Sequence, residues 1–375
     1  MIFVKDAQFS TWLYRALIFL VVSCPCALVV SIPLGFFGGI GGASKNGILI
    51  KGANYLEALN NLETVVFDKT GTLTKGKFKV SEINVQNSKY TKDDLLKYAA
   101  IAESFSNHPI AQSIVLEYEK NNKKLEKTDS SEFEFEEIAG HGVKVKYENN
   151  EILAGNLKLL KKENIEAAEK DAVGTVVYVA KDREYLGNLI IADEIKEDAK
   201  KTIEELNNLG IKNVVMLTGD NRKIGENVAS KLNISKVFTD LLPLGKVEKM
   251  EEFLKNKSTN GKVLFVGDGI NDAPVLARAD IGVAMGGVGS DAAIEAADMI
   301  IMNDEPSKIV TALKIAKKTK KIVWQNIIFA LGVKIIILVM GALGFATMWE
   351  AVFGDVGVAL IAILNATRAL TYKEN

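Results

Sequence analysis

No charged residue interrupts positions 16–44, between Arg15 and Lys45, which is more than the about 20 apolar residues a helix needs to cross a bilayer. Near the other end, 322–346 is apolar except for Lys334, and 351–370 is apolar except for Asp355 and Arg368. The 375 residues between and around these segments allow two or three domains, and 45–321 alternates charged and apolar runs in a mixed α/β pattern. The spacing therefore predicts three membrane spans and one large water-exposed middle. Lys314, Lys317, Lys318, Lys320 and Lys321 precede the second span, and Lys45 and Lys51 follow the first. The hairpin Thr347 to Glu350 has no Lys or Arg, so the positive-inside tendency puts the middle in the cytoplasm and the hairpin outside. Lys5 and Arg15 run against this rule. A net charge of −1 gives no sign of a nucleic-acid partner.

Within the middle, Thr64-Val65-Val66-Phe67 is short, apolar and β-branched and reads as a buried parallel strand. It ends in Asp68-Lys69-Thr70-Gly71-Thr72-Leu73-Thr74. Asp68 thus stands at the carboxyl end of a strand, where open α/β sheets put their chemistry. The tight polar loop after it has backbone N–H groups and hydroxyls that can surround a phosphate. An aspartate so placed can attack phosphorus and carry an acyl phosphate. Two further strand-like runs, 213–218 and 262–267, end in Thr218-Gly219-Asp220 and Asp268-Gly269-Ile270-Asn271-Asp272, with helical stretches at 195–209, 221–231 and 244–255. Strand–helix alternation of this kind predicts a parallel sheet whose strand ends bring Asp68, Thr218 and Asp268 to one crevice. Asp68, Asp268 and the Thr70 carbonyl offer the hard oxygens that Mg²⁺ prefers, and Thr218 with the Gly219 N–H can bond a transferred phosphate.

The two cysteines of the chain are Cys24 and Cys26, one residue apart inside the first span. Such neighbours are poorly placed for a mutual disulfide, and two thiols at membrane depth read as ligands for a soft or borderline-soft ion. Pro25 between them removes a helix hydrogen bond and loosens the helix there. Two thiolates and Asp355 carry a charge of about −3; a divalent ion and Lys334 together balance it, a monovalent ion does not. Lys334 lies near the middle of its span, too deep to snorkel easily, and is expected to act as an internal counter-ion.

The string Asp68–Thr74 resembles the phosphorylation motif of P-type ATPases, and Cys24-Pro25-Cys26 resembles their heavy-metal branch. Lys334 and Asp355 in their local contexts match its zinc/cadmium/lead subgroup. The resemblance runs from Phe9 to about Leu370. It implies an α/β haloacid-dehalogenase-like phosphorylation domain (62–80 and 193–305), an inserted α+β nucleotide-binding domain (81–192) and transmembrane α-helices. Around these fall an external segment and first helix (1–44), a cytoplasmic helix extension (45–61), a linker helix (306–321) and two further spans (322–346 and 350–370). It assigns Lys69, Asp220, Lys246, Asn271 and Asp272 to the phosphotransfer site with Asp68, Thr70, Thr218, Gly219 and Asp268. Glu103, His108, Gly140, Gly142, Gly155 and Asn156 would serve ATP, with His141 a lesser candidate. Much of 119–136 reads as a solvated face.

The implied activity is ATP-driven export of Zn²⁺, Cd²⁺ or Pb²⁺ across the cell membrane through an aspartyl phosphate, with ATP and Mg²⁺ as cofactors. The family also has an actuator domain with a Thr-Gly-Glu string and further membrane helices that this sequence does not contain. A missing N-terminal half is therefore an expected partner, besides the lipid bilayer. Two rivals stay open: a Cu⁺ exporter, and a non-pumping, membrane-tethered phosphotransfer or nucleotide-binding fragment. Residues 45–62 are expected to continue the first membrane helix toward Asp68 as a lever, weakened at Gly47 and Gly52.

Overall fold

The computed structural model describes residues 8–106, 108–121, 134–147, 150–269, 272–287 and 291–372. Its strands, in chain order, are β1 (Ile48–Ile50), β2 (Leu62–Asp68), β3 (Thr74–Val85), β4 (Glu134–Ile138), β5 (Gly142–Tyr147), β6 (Asn150–Gly155) and β7 (Thr175–Lys181). They continue as β8 (Glu184–Ile195), β9 (Asn213–Leu217), β10 (Lys236–Phe238), β11 (Lys262–Gly267), β12 (Ile281–Met285) and β13 (Met299–Ile301). One sheet has the order β1-β13-β12-β11-β2-β9-β10, the other β3-β8-β7-β6-β5-β4. Two compact units divide the chain: Met1–Phe67, Lys200–Val215 and Leu242–Asn375 in the first, and Asp68–Ala199 with Met216–Leu241 in the second.

In the first unit β2 and β11 pair in parallel, with Phe67 opposite Val266. Val65, Val66, Phe67, Val263, Leu264 and Phe265 are fully buried, because helices cover both faces of a parallel sheet and leave no strand position for water. The helices Ala199–Asn208, Arg222–Leu232 and Pro243–Asn256 fall where the pattern predicted them.

Residues 45–61 do not form the expected helix extension. The helix Cys26–Lys45 stops, Gly47 takes φ +75°, and β1 pairs antiparallel with β13 before a short helix Ala53–Ala58. The reason lies in Ile48-Leu49-Ile50: Ile48 and Ile50 are buried and Leu49 exposed, so the triplet has the two-residue period of a sheet edge. The membrane helix is thus tied to the sheet by strand pairing rather than by a continuous lever.

In the second unit the antiparallel sheet is built around β3 and β8, which pair from Thr74↔Ile195 to Val85↔Gly187 and so run past the expected boundaries at 81 and 192. Helices Lys92–Glu103 and Pro109–Asn121 cover one face over Leu95, Ile114, Val145, Ile152 and Leu189. Asn107, Asn271 and residues 122–133 of the predicted solvated face lie outside the described residues.

Among the described residues, three helical segments of the first unit are long and apolar enough to cross a membrane: Phe9–Lys45, Ser307–Leu343 and Met348–Leu370. The expected linker helix and second span are one helix of 37 residues, Ser307–Leu343. It ends at Gly344 with φ +85°, the left-handed geometry that glycine adopts without a Cβ penalty, and a Thr347–Glu350 capping box starts the next helix.

Candidate phosphotransfer and membrane metal sites

The first segment is not a continuous helix. It breaks at Ser23–Pro25, between Phe9–Val22 and Cys26–Lys45, where Pro25 cannot donate to the preceding turn. Cys24 and Cys26 come together across this break with Cα atoms 5.5 Å apart and are joined as a disulfide. That corrects the expectation from spacing: the helix break sets the two residues within the Cα range a disulfide needs. As metal ligands the pair acts in its reduced form.

Opposite the break, a π-turn at Phe353–Gly357 carries Asp355. A side chain on Gly354 would meet Ile337 at 2.3 Å, so glycine is what lets this turn approach the helix Ser307–Leu343. Cys24, Cys26 and Asp355 each present a ligand atom within 4.8 Å of the others. Lys334, 7% exposed, donates to the Val22 carbonyl at 3.1 Å, to the Cys24 carbonyl, and to Asp355 Oδ1 at 3.3 Å. The carbonyls it uses are those the helix break frees. All four residues predicted for the membrane site converge.

In the second unit, Asp68 Oδ2 accepts the Thr70 N–H at 3.1 Å, and Gly71 at φ +69° turns the loop back. The Thr72 hydroxyl is buried without a hydrogen-bond partner. Lys69, 5% exposed, bonds Asp220 Oδ2 at 2.5 Å and lies 3.8 Å from Asp193 Oδ2. Asp220 N–H donates to the Thr218 hydroxyl at 3.1 Å, and a Gly219 Cβ would stand 3.2 Å from the Leu241 carbonyl. Lys69, Thr70, Asp193 and Asp220 line a cleft of about 590 Å³.

Sequence reading missed Asp193 and Lys196. Asp193 Oδ2 accepts from Thr74 at 2.5 Å, its Oδ1 is buried and unpartnered, and burial raises its pKa. Lys196 donates to the Gly71 carbonyl at 2.7 Å. The signal was present as Asp193-Glu194-Ile195-Lys196 after the apolar Leu189-Ile190-Ile191-Ala192, but only pairing of β3 with β8 brings it beside the loop after Asp68.

In the first unit, half-buried Lys246 bonds buried Asp272 at 2.8 Å. Asp268 follows β11, whose register with β2 sets the end of one strand beside the end of the other. Asn271 lies outside the described residues.

The predicted nucleotide residues have mixed placements. Glu103 is 8% exposed, and burial, with Glu137 adding repulsion, raises its pKa to about 7. His108 is exposed, and its Nδ1 accepts the Ile110 N–H at 3.2 Å at the start of a helix. Gly142 and Gly155 are cross-strand partners, and a Cβ on either would lie 2.3 Å from a backbone oxygen of the other strand, so close strand approach requires them. Gly140, at φ +71°, has open space where a Cβ would be. Asn156 caps the helix Leu157–Lys162 and donates to the Gly140 carbonyl at 2.8 Å. His141 is held by its Nδ1 on the Ala139 carbonyl at 2.9 Å.

A family model described as haloacid dehalogenase-like hydrolase matches residues 62–280. The chain belongs to the haloacid-dehalogenase-like hydrolases and, among them, to the PIB-type ATPases. It is 58% identical over 370 residues to the cadmium, zinc and cobalt-transporting ATPase of Bacillus subtilis, covering 98% of this chain and 52% of that protein. It is 52% identical over 367 residues to the zinc-transporting ATPase of Synechocystis, covering 98% and 50% respectively. The solved structure of a zinc-transporting PIB-type ATPase in the E2.Pi state is similar with a TM-score of 0.86 and 34% identity, over 98% of this chain and 60% of that one. The chain spans about half the length of the curated relatives it matches.

Proposed function

We propose that this chain is the catalytic and ion-binding portion of an ATP-driven exporter of a divalent soft metal ion, Zn²⁺, Cd²⁺ or Pb²⁺. The observation that carries the reading is Lys334 set against Asp355 and the carbonyl of Cys24, among the same side chains that offer two sulfurs and a carboxylate. Reduced and ionised, those three donors hold a charge of about −3, which Lys334 and a divalent cation neutralise together. That charge balance favours a divalent ion over Cu⁺, which the sulfurs alone would accept as readily.

The chemistry belongs to Asp68. Its carboxylate oxygen attacks the γ-phosphorus of ATP, the bond from that phosphorus to the β–γ bridging oxygen breaks, ADP leaves, and Asp68 carries the phosphoryl group as an acyl phosphate. Asp68, Asp268 and the Thr70 carbonyl are the hard oxygens assigned to Mg²⁺, which when bound would neutralise phosphate charge. The unpartnered Thr72 hydroxyl in the loop supports a ligand at this place. Thr218 and the Gly219 N–H would bond the transferred phosphoryl oxygens, Lys246, oriented by its ion pair with Asp272, would offer its ammonium to them, and Asp193 with Asp220 would hold Lys69 in place. Glu103, Gly140 and His108 are assigned to the nucleotide's base, and an N-terminal half is assigned to acyl-phosphate hydrolysis.

The test is acyl-phosphate formation from radiolabelled ATP on the chain in membranes. A hydroxylamine-labile label that needs Asp68, both cysteines and Zn²⁺ or Cd²⁺ is expected. Label that forms with Cu⁺ alone would move the ion class to the rival reading, and label that ignores every metal would mean this portion is uncoupled.

A further inference from the structure

The helix Cys26–Lys45 packs on Ser307–Leu343 and on the last span, forming a seam that begins at the membrane cluster. Near the cluster the seam is apolar and tight: Ala27, Ala330 and Val358 pack together. Farther along, a Cβ on Gly35 would meet Val323 at 3.0 Å. Ser31 lies one helical turn from both Ala27 and Gly35 on the same face, and Asn326 lies between Ala330 and Val323 on the opposing helix. The two therefore occupy one layer of the seam.

That layer is polar in an otherwise apolar stack. Ser31 is fully buried and its hydroxyl has no hydrogen-bond partner. Asn326, 2% exposed, donates to the Ala362 carbonyl at 2.9 Å, and its Oδ1 accepts from Asn365 at 2.8 Å. A carbonyl oxygen has two lone pairs, so one remains on Asn326 Oδ1. Arg368 anchors Asn365 from the far end at 2.7 Å. About two turns farther toward the cytoplasm a second buried hydroxyl, that of Thr319, is also unpartnered and would lie 2.4 Å from a Cβ on Gly39. Helical rise sets Gly39 about 20 Å from Cys26.

We propose that Ser31, Asn326 and Thr319 are waypoints of a cation path that joins the cytoplasmic end of the seam to Cys24, Cys26 and Asp355. Unpartnered hydroxyls in a bilayer are costly, and polar groups at that depth mark ion pathways. All three waypoints are neutral oxygen donors. A divalent ion binds them weakly enough to leave, while thiolates and a carboxylate at the end of the path hold it. Gly39 lets the two helices close on Thr319, so that hydroxyl faces the seam with no intervening side chain. A purely structural role fits Ser31 and Thr319 poorly, since neither hydroxyl bonds anything.

The path rests on the metal-site reading above, and the experiment separates the two. The full chain, with its cysteines reduced, is set in phosphatidylcholine vesicles with its cytoplasmic side outward. Cd²⁺ added outside is followed by the ultraviolet band of cadmium bound to thiolate, in rapid mixing and in release to a chelator. Ser31→Ala and Thr319→Val are expected to slow both arrival and release several-fold, and Asn326→Leu by about tenfold, with the equilibrium constant unchanged. Unfolding temperature for Ser31→Ala should hold or rise, because an unpartnered hydroxyl is removed. Unchanged rates in all three variants would overturn the path and leave the metal site standing. A weakened equilibrium constant with an unchanged arrival rate would overturn it too, in favour of residues that only position the site. No band in the unsubstituted chain would overturn the metal site and the path together.

Discussion

Lys69 and Lys334 are both nearly buried, at 5% and 7% exposure, and both face aspartates, yet their surroundings differ in kind. Lys69 lies between two carboxylates, Asp220 and Asp193, in the unit that also carries Asp68. Lys334 has one carboxylate and two backbone carbonyls, those of Val22 and Cys24. A lysine between two carboxylates is fixed, because every alternative leaves a buried charge unpaired. A lysine that leans on carbonyls freed by a helix break competes with any cation for the one carboxylate. On the proposed reading the first lysine would serve as a support, and the membrane lysine as a charge that shares its site with the transported ion.

The largest effect should break the two regions apart. Asp68→Asn is expected to lower acyl-phosphate formation by at least about 10³-fold, since it removes the nucleophile itself. Equilibrium Cd²⁺ binding by the same variant should be unchanged; a loss of both would mean the regions are not separable.

Lys334→Met sharpens the contrast. Leaving Asp355 buried without its cation should cost about 3–5 kcal/mol in thermal unfolding without metal. Saturating Cd²⁺ should return most of it, because the ion supplies the missing charge to the folded state alone. Failure of Cd²⁺ to rescue would show that the lysine and the ion do not share the site.

Glu103 provides a pH test in the second unit, away from both lysines. Its folded pKa is raised from 4.5 to about 7, by burial first and by Glu137 second. The folded state thus keeps a proton that the unfolded chain releases near 4.5. The associated stability is full below that pH, falls as pH rises through about 7, and is lower by about 3 kcal/mol above it. Glu103→Gln should flatten this part of the unfolding profile, and an equally steep profile in the variant would assign the dependence elsewhere. The smallest effect concerns Asn156, whose side chain caps the helix Leu157–Lys162. Asn156→Ala should cost about 1 kcal/mol, read as a lowered unfolding temperature of the unliganded chain. ATP affinity that fell while stability held would restore a direct nucleotide role to this residue.

Much of this was legible before any coordinates. The strands at 62–68, 213–217 and 262–267 stand out because parallel strands buried on both faces read as unbroken apolar runs ended by polar loops. Asp68, Thr218 and Asp268 sit at the ends of those runs, so their place at the strand ends was visible from position alone. The break at Pro25, and the buried charges of Lys334 and Asp355, follow from residue types that lipid does not tolerate idly.

Other features depend on distant partners. Ile48-Leu49-Ile50 reads as the continuation of a membrane helix until β13 offers it an edge to pair with. The disulfide geometry of Cys24 and Cys26 arises from the helix break, not from their spacing. Asp193 joins Lys69 only because β3 and β8 pair with their ends in register. That Gly142 and Gly155 are cross-strand partners is likewise invisible in either local stretch.

What the sequence by itself determined is the chemistry: which side chains can take phosphate, hold a soft ion, or enter lipid, since these are properties of residue type and local period. What only the tertiary structure decided is which of them share a place. Contact between residues hundreds apart, such as Lys334 with Cys24 or Lys69 with Asp220, is set by strand register and helix packing, and neither is written in any local stretch of the chain.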